Sequence, residues 1–168
     1  MVNSFVRPSD IKNLQNKHVT VVRGQHIYLR LNLPESKKHD KPIVSLAPAV
    51  RIYERLVQMN QAKGYIGPDD FLFMPEMTDR KKSMQFLGYQ FQYIVSVAGI
   101  GSNAANGMSR TLYSLRHTAI TLRPLYGGKI DLLTLSRNAR TSVQMIEQFY
   151  SSNLSAEMNI DLLQGKRN

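Results

Sequence analysis

Tyr113 and Arg116 stand three residues apart in the run Tyr113-Ser114-Leu115-Arg116-His117-Thr118-Ala119. On a helix that spacing puts both on one face, where they can converge on a single group. Leu115, Ala119 and Leu122 would then hold the opposite face in a core, giving the rigid mount that a bidentate arginine–phosphate contact requires. The same arginine can equally be structural, paired with a buried acid. Other site types find less support. The four histidines, His18, His26, His39 and His117, lack zinc-type spacing with one another or with acids, and cysteine is absent. Gly127-Gly128-Lys129 lacks the remaining spacing of a P-loop, and Gly99-Ile100-Gly101 has no strand before it, so both read as connections. No paired-carboxylate or Ser/His/Asp arrangement can be argued from so few acids and histidines. No metal and no cofactor is expected.

Leu115-Arg116-His117-Thr118 resembles the second-arginine box of the tyrosine recombinases (phage-integrase family), whose common form is His-x-Leu-Arg-His. Downstream, the run from Ala139-Arg140-Thr141-Ser142 to Gln148-Phe149-Tyr150 is similar to that family's closing motif. There a helix delivers a nucleophilic tyrosine nine or so residues after a His or Trp, the spacing of Thr141 and Tyr150 here. Upstream, Val6-Arg7-Pro8-Ser9-Asp10-Ile11 to Leu14 resembles the first-arginine box, an arginine followed three residues later by Glu or Asp. Between them, Glu35-Ser36-Lys37-Lys38 through Pro42-Ile43-Val44 resembles the strand-turn-strand that carries a catalytic lysine, which falls at Lys37 with Lys38 as the alternative. The boxes follow the family's order over essentially the whole chain.

The resemblance implies a site-specific DNA recombinase that cuts one strand by tyrosine attack on a backbone phosphate. A 3′-phosphotyrosyl bond forms and a free 5′-hydroxyl is released, which later rejoins strands. Arg7 and Arg116 would clamp the phosphate, Lys37 would protonate the departing oxygen, Tyr150 would attack, and Tyr113 and Thr141 would complete the site. Asp10 would brace the arginines without reacting. The partner implied is double-stranded DNA, bound by a homo-oligomer (a tetramer), with no small-molecule substrate. Two positions depart from the pattern. Tyr113 stands where the box has its first histidine, and Thr141 where a His or Trp belongs. Each loss costs about one to three orders of magnitude if the missing group carries an ordinary acid–base or hydrogen-bonding share. A catalytically decayed DNA-binding relative, a type IB topoisomerase-like enzyme and a basic protein–protein adaptor are the competing readings. For Tyr150 itself the alternative is a core tyrosine, although the polar Ser151-Ser152-Asn153 that follows suits an exposed helix end.

The expected fold is mainly α (α+β): a helical tyrosine-recombinase catalytic domain over residues 1–168 with a small three-stranded antiparallel sheet near the N-terminus. The helices that precede the first-arginine box in the family, and the N-terminal core-binding domain, are not expected within it. Arg7-Pro8-Ser9-Asp10 reads as a helix start, continuing to about Leu14 or Asn16. Val19–Val22 and Ile27–Leu31, joined by a turn at Arg23-Gly24-Gln25, read as two strands, and Pro42–Leu46 as a third. Val50, Tyr53 and Val57 mark a helix ended by Gly64, and Tyr65 to Met77 reads as a loop. Leu87, Phe91, Ile94 and Ala98 form another helical stripe, broken at Gly99–Asn103. A further helix through Leu112, Leu115, Ala119 and Leu122 is closed by Pro124 and Gly127-Gly128, and short helices follow over about 129–137 and 142–150. In the tail, 151–168, Leu154, Met158 and Leu162 share a face that either packs on its own domain or docks on a neighbouring protomer.

Charge is compatible with this reading without selecting it. The chain of 168 residues carries a net charge of +10 and is 42% hydrophobic and 20% charged, globular rather than disordered and sized for one domain. Residues 1–84 hold 14 basic and 8 acidic side chains, and residues 85–168 hold 8 and 4. An excess spread in this way suits a folded surface that meets a polyanion, and equally a soluble basic protein without such a partner. No apolar run is long enough to span a bilayer, no export signal is visible, and the lack of cysteine fits a reducing compartment, so a cytoplasmic location is expected.

Overall fold

The computed structural model describes residues 1–34, 41–101, 107, 109–126 and 130–150, with Phe149 and Tyr150 described by main chain alone. It is mainly α with one small sheet, as the sequence pattern leads one to expect. Pro8–Lys12 forms α1, and a 3-10 turn at Asn16–His18 follows. The strands are β1 (Val19–Val22), β2 (Tyr28–Leu31) and β3 (Ile43–Val44), antiparallel in the order β1-β2-β3. Val19 pairs with Leu31, and Leu31 in turn with Ile43. Among the described residues five helices follow: α2 (Pro48–Ala62), α3 (Arg80–Val97), α4 (Leu112–Tyr126), α5 (Leu132–Ala139) and α6 (Val143–Tyr150). No helix among the described residues is long and apolar enough to cross a membrane.

Several boundaries differ from the sequence reading. α1 stops at Lys12, because the chain from Leu14 on pairs with the loop before α3. Leu72 donates its N–H to the Leu14 carbonyl, and Asn16 donates to that of Asp70. β3 is two residues long, Ile43–Val44, and Asn138 of α5 occupies its outer edge by taking both polar groups of the Val44 main chain. α4, by contrast, ends at Tyr126, between the Pro124 and Gly127 that mark its close in the sequence; Pro124 lies in its last turn, where it forfeits only its own N–H bond. α5 starts at Leu132, where Asp131 accepts the Thr134 N–H as an N-cap, and Ser142 plays the same part for α6 by accepting the Met145 N–H. The stripe on α3 lies in a helix, but its outer end is open: Ile94 is 60% exposed, and Ala98 lies just past the last turn.

Two apolar cores divide the described residues. The first gathers Val6, Ile11, Leu29, Leu31, Ile43, Val50 and Leu72 beneath the sheet, α1 and α2. The second gathers Phe5, Ala119, Ile120, Leu135, Ala139 and Ile146 among α4, α5 and α6. The chain passes from one to the other between Phe5 and Val6, and Phe5 makes that step in a left-handed conformation (φ 56°). Such a conformation is costly for a bulky residue unless the surroundings hold it. Here they do: the Phe5 side chain is 2% exposed, and its carbonyl accepts from Arg116. Arg7 therefore leaves the seam between the two cores, directly beside the guanidinium of Arg116.

Candidate active site

Arg116 sits on the buried face of α4 with Ala119 and Ile120, at 3% exposure. This differs from the sequence expectation, in which Leu115, Ala119 and Leu122 form the core face opposite it. Leu122 is 40% exposed, since the helical turn that buries residues 116, 119 and 120 carries 122 outward. Burial of this guanidinium is met by backbone carbonyls, not by a buried acid: Nη1 donates to Phe5 O and Nη2 to Ala139 O. Desolvation lowers its pKa and the charge of Arg7 lowers it further, while Tyr113 and Asp10 act in the opposite direction.

Arg7 reaches the same place from the other side, its Nη2 donating to the carbonyl of Arg140. Asp10 accepts the main-chain N–H of Arg7 at 2.7 Å, which pins the start of α1 and with it the arginine's position. It is near enough to raise the pKa values of Arg116 and Arg140, yet no ion pair joins it to a guanidinium among the described residues. Tyr113 stands at the rim, 41% exposed, with its ring edge-on to His117 at 4.8 Å. Burial, and then the charge of Arg116, lowers the His117 pKa, which favours the neutral imidazole.

Both arginines thus grip one short piece of main chain, the carbonyls of residues 139 and 140. That piece is the junction of α5 and α6. Arg140 adopts the left-handed conformation (φ 50°, ψ 51°), its N–H bonds Arg137 O, and the Thr141 N–H bonds Ser136 O. The pair of bonds is a Schellman helix end, in which the left-handed residue is ordinarily glycine. Thr141 is half-buried directly after it, and α6 begins two residues later to end at Tyr150. Arg140 has no role in the sequence reading although its motif is recognised. It is 6% exposed, bonds Lys41 O through Nη2, and its guanidinium lies within electrostatic reach of Arg7. The one sequence signal for it is an arginine at a position where a helix end calls for glycine.

Of the residues singled out from sequence, Arg7, Asp10, Tyr113 and Arg116 come together, with Thr141 on the segment that the two arginines hold. Lys37, its alternative Lys38, the side chain of Tyr150 and the tail 151–168 lie outside the described residues. Among those described, no three histidine or acidic side chains come together as a metal-binding group.

Superposed on solved structures, the chain matches the Tn1549 transposon integrase in complex with transposon right-end DNA, with a TM-score of 0.56 and 15% sequence identity. The fold is integrase-like. The match covers 98% of this chain and 56% of that one, so the present chain spans little more than half the length of the integrase chain in that structure, which itself comprises residues 82–397. No protein-family model matches the sequence, and no curated protein does. At this identity the integrase-like fold is what the two proteins share.

Proposed function

We propose that this chain is the DNA-cleaving domain of a tyrosine-type site-specific recombinase, acting on double-stranded DNA as a homo-oligomer. The observation that carries the reading is the convergence of Arg7 and Arg116 on the 139–140 main chain, directly before Thr141, which stands nine residues ahead of Tyr150. A phenol with a pKa near 10 is a weak nucleophile until the phosphate it attacks is neutralised. Two guanidiniums aimed at the non-bridging oxygens stabilise the charge that builds up at pentacoordinate phosphorus. Tyr150 Oη gives up its proton to solvent and forms the new bond to phosphorus, the bond to the 5′-oxygen breaks, and Lys37 gives that oxygen a proton as general acid. Tyr113 donates a hydrogen bond at the rim, Thr141 bonds a phosphate oxygen, and Asp10 acts through Arg7. The chemistry runs without metal or nucleotide cofactor.

A second reading, a decayed DNA-binding relative, draws on the near-complete burial of Arg116 and on Tyr113 and Thr141 standing where the family has better proton carriers. One gel separates the two. The chain is incubated with a pool of nicked suicide duplexes and run under denaturing conditions beside Tyr150→Phe. A DNA-linked band lost in Tyr150→Phe is the expected result. No band from a protein that still binds the duplex leaves the decayed relative, and the catalytic roles are withdrawn.

A further inference from the structure

Beneath β3, the C-terminal half of α4 and α5 lies a cavity of about 570 Å³. Lys41, Arg123, Arg137 and Arg140 line it, together with the hydroxyl-bearing Ser45 and Thr134, and none of its lining residues is acidic. Arg123 and Arg140 each bury an Nε–H that finds no acceptor among the described residues, although Arg140 is 6% exposed overall. A buried donor on a charged group costs more to leave unmade than an ordinary one. Four like charges around one space also repel, with no carboxylate among the described lining residues to relieve them. The repulsion is relieved when an anion enters, whereas the two Nε–H groups, with almost no surface open to the cavity, stay as they are.

We propose that this cavity is a binding site for a phosphate-bearing anion. The planar guanidinium fork matches phosphate oxygens in pairs, and four cations call for a ligand with more than one negative charge, which points to phosphate rather than a single carboxylate. The volume lies in the range of small-molecule sites, which suits an oligophosphate or a nucleotide. A phosphate of a nucleic-acid strand offers the same chemistry. The cavity adjoins the junction held by Arg7 and Arg116 through Phe5 and Arg140, but none of its lining residues is assigned a step in the chemistry at Tyr150, and the proposal stands whether or not the chain cleaves DNA.

Titration calorimetry of the 168-residue chain with tripolyphosphate, and with a nucleoside triphosphate in the absence of metal, tests it. One saturable site is expected, weakened about tenfold or more in Arg123→Gln and in Arg137→Gln, the effect of one charge-assisted hydrogen bond. Arg137 is exposed, so its substitution leaves the fold intact and keeps the comparison valid if Arg123→Gln unfolds. A short duplex added to the loaded protein then identifies the source. Displacement of tripolyphosphate assigns the site to a nucleic-acid phosphate, and simultaneous binding assigns it to a free anion; either supports the site. Absence of saturable binding overturns the proposal, and so does binding that the Arg137 and Arg123 variants leave unchanged.

Discussion

Arg140 offers a test in which glycine outperforms alanine. Its backbone is left-handed, and an L residue in that conformation costs about 1–2 kcal/mol that glycine does not incur. Glycine's freer unfolded chain returns about 0.4–1 kcal/mol of that advantage. The balance predicts Arg140→Gly more stable than Arg140→Ala by about 0.5–1 kcal/mol, the reverse of their order inside a helix. Both variants lose the bond to Lys41 O and sit below the parent protein by about 1–3 kcal/mol, which the comparison between them cancels. Urea unfolding followed by circular dichroism, at equal m-values, measures the gap. Because Arg7 and Arg116 hold carbonyl oxygens at 139 and 140, neither variant removes an atom they use, and on the proposed mechanism folded Arg140→Gly should cleave DNA as the parent does. Alanine equal to or above glycine would refute the left-handed junction and with it the account of how the two arginines are posed.

Three further outcomes are expected. Arg80, at 9% exposure, donates to the carbonyls of Lys12, Phe73, Met74 and Met77, so Arg80→Ala destabilises by about 3 kcal/mol or more. Arg80→Lys recovers only part of this, since one ammonium cannot reach all four; a fully stable Arg80→Ala in urea would sink the argument. The folded chain holds the His18 and His117 pKa values below their ordinary value, through burial first, and His18 Nδ1 accepts the Gln15 N–H. As pH falls through the unfolded histidine pKa, about 6.5, the unfolded chain takes up protons that the fold refuses. Stability therefore drops toward acid and is fully present above that range. The combined His18→Gln and His117→Gln variant should flatten the slope between about pH 7.5 and about pH 5.5, and an unchanged slope in urea melts contradicts it. Finally, binding to a short duplex should weaken with a log–log salt slope of about −0.9 per phosphate neutralised, read by anisotropy. A salt-insensitive association would favour the protein–protein adaptor.

The sequence displays the parts of the site better than their arrangement. Residue type and spacing are local properties, so the Tyr113–Arg116 face, the start of α1 at Arg7-Pro8 and the strands at 19–22 and 28–31 are visible in the order of residues. Arg116, however, bonds a carbonyl 111 positions away and Arg7 one 133 positions away, and no periodicity encodes such partners. The error at Leu122 has the same origin. Apolar spacing favours 115, 119 and 122, while the direction of burial is set by α5 and α6, which press on 116, 119 and 120. The end of α1 moved because a loop some sixty residues on takes the main-chain bonds that a longer helix needs, as at Leu14 and Leu72.

The junction of α5 and α6 ties these observations into one mechanical unit. Arg116 comes from α4, Arg7 from the seam between the two cores, and both end on adjacent carbonyls of the chain that runs on into α6. Side chains held by a Schellman end inherit its rigidity, because the carbonyls they grip are fixed by main-chain bonds at 136 and 137. Arg140 extends the tie to Lys41, at the edge of the segment that carries Lys37. On the proposed mechanism, a shift of this junction cannot move the nucleophile's helix and leave the phosphate clamp behind. A substitution that disturbs residues 139–141 should therefore slow the cleavage and rejoining steps together, whereas loss of Lys37 alone should spare cleavage of a scissile phosphodiester whose bridging 5′-oxygen is replaced by sulfur, a leaving group that needs no proton.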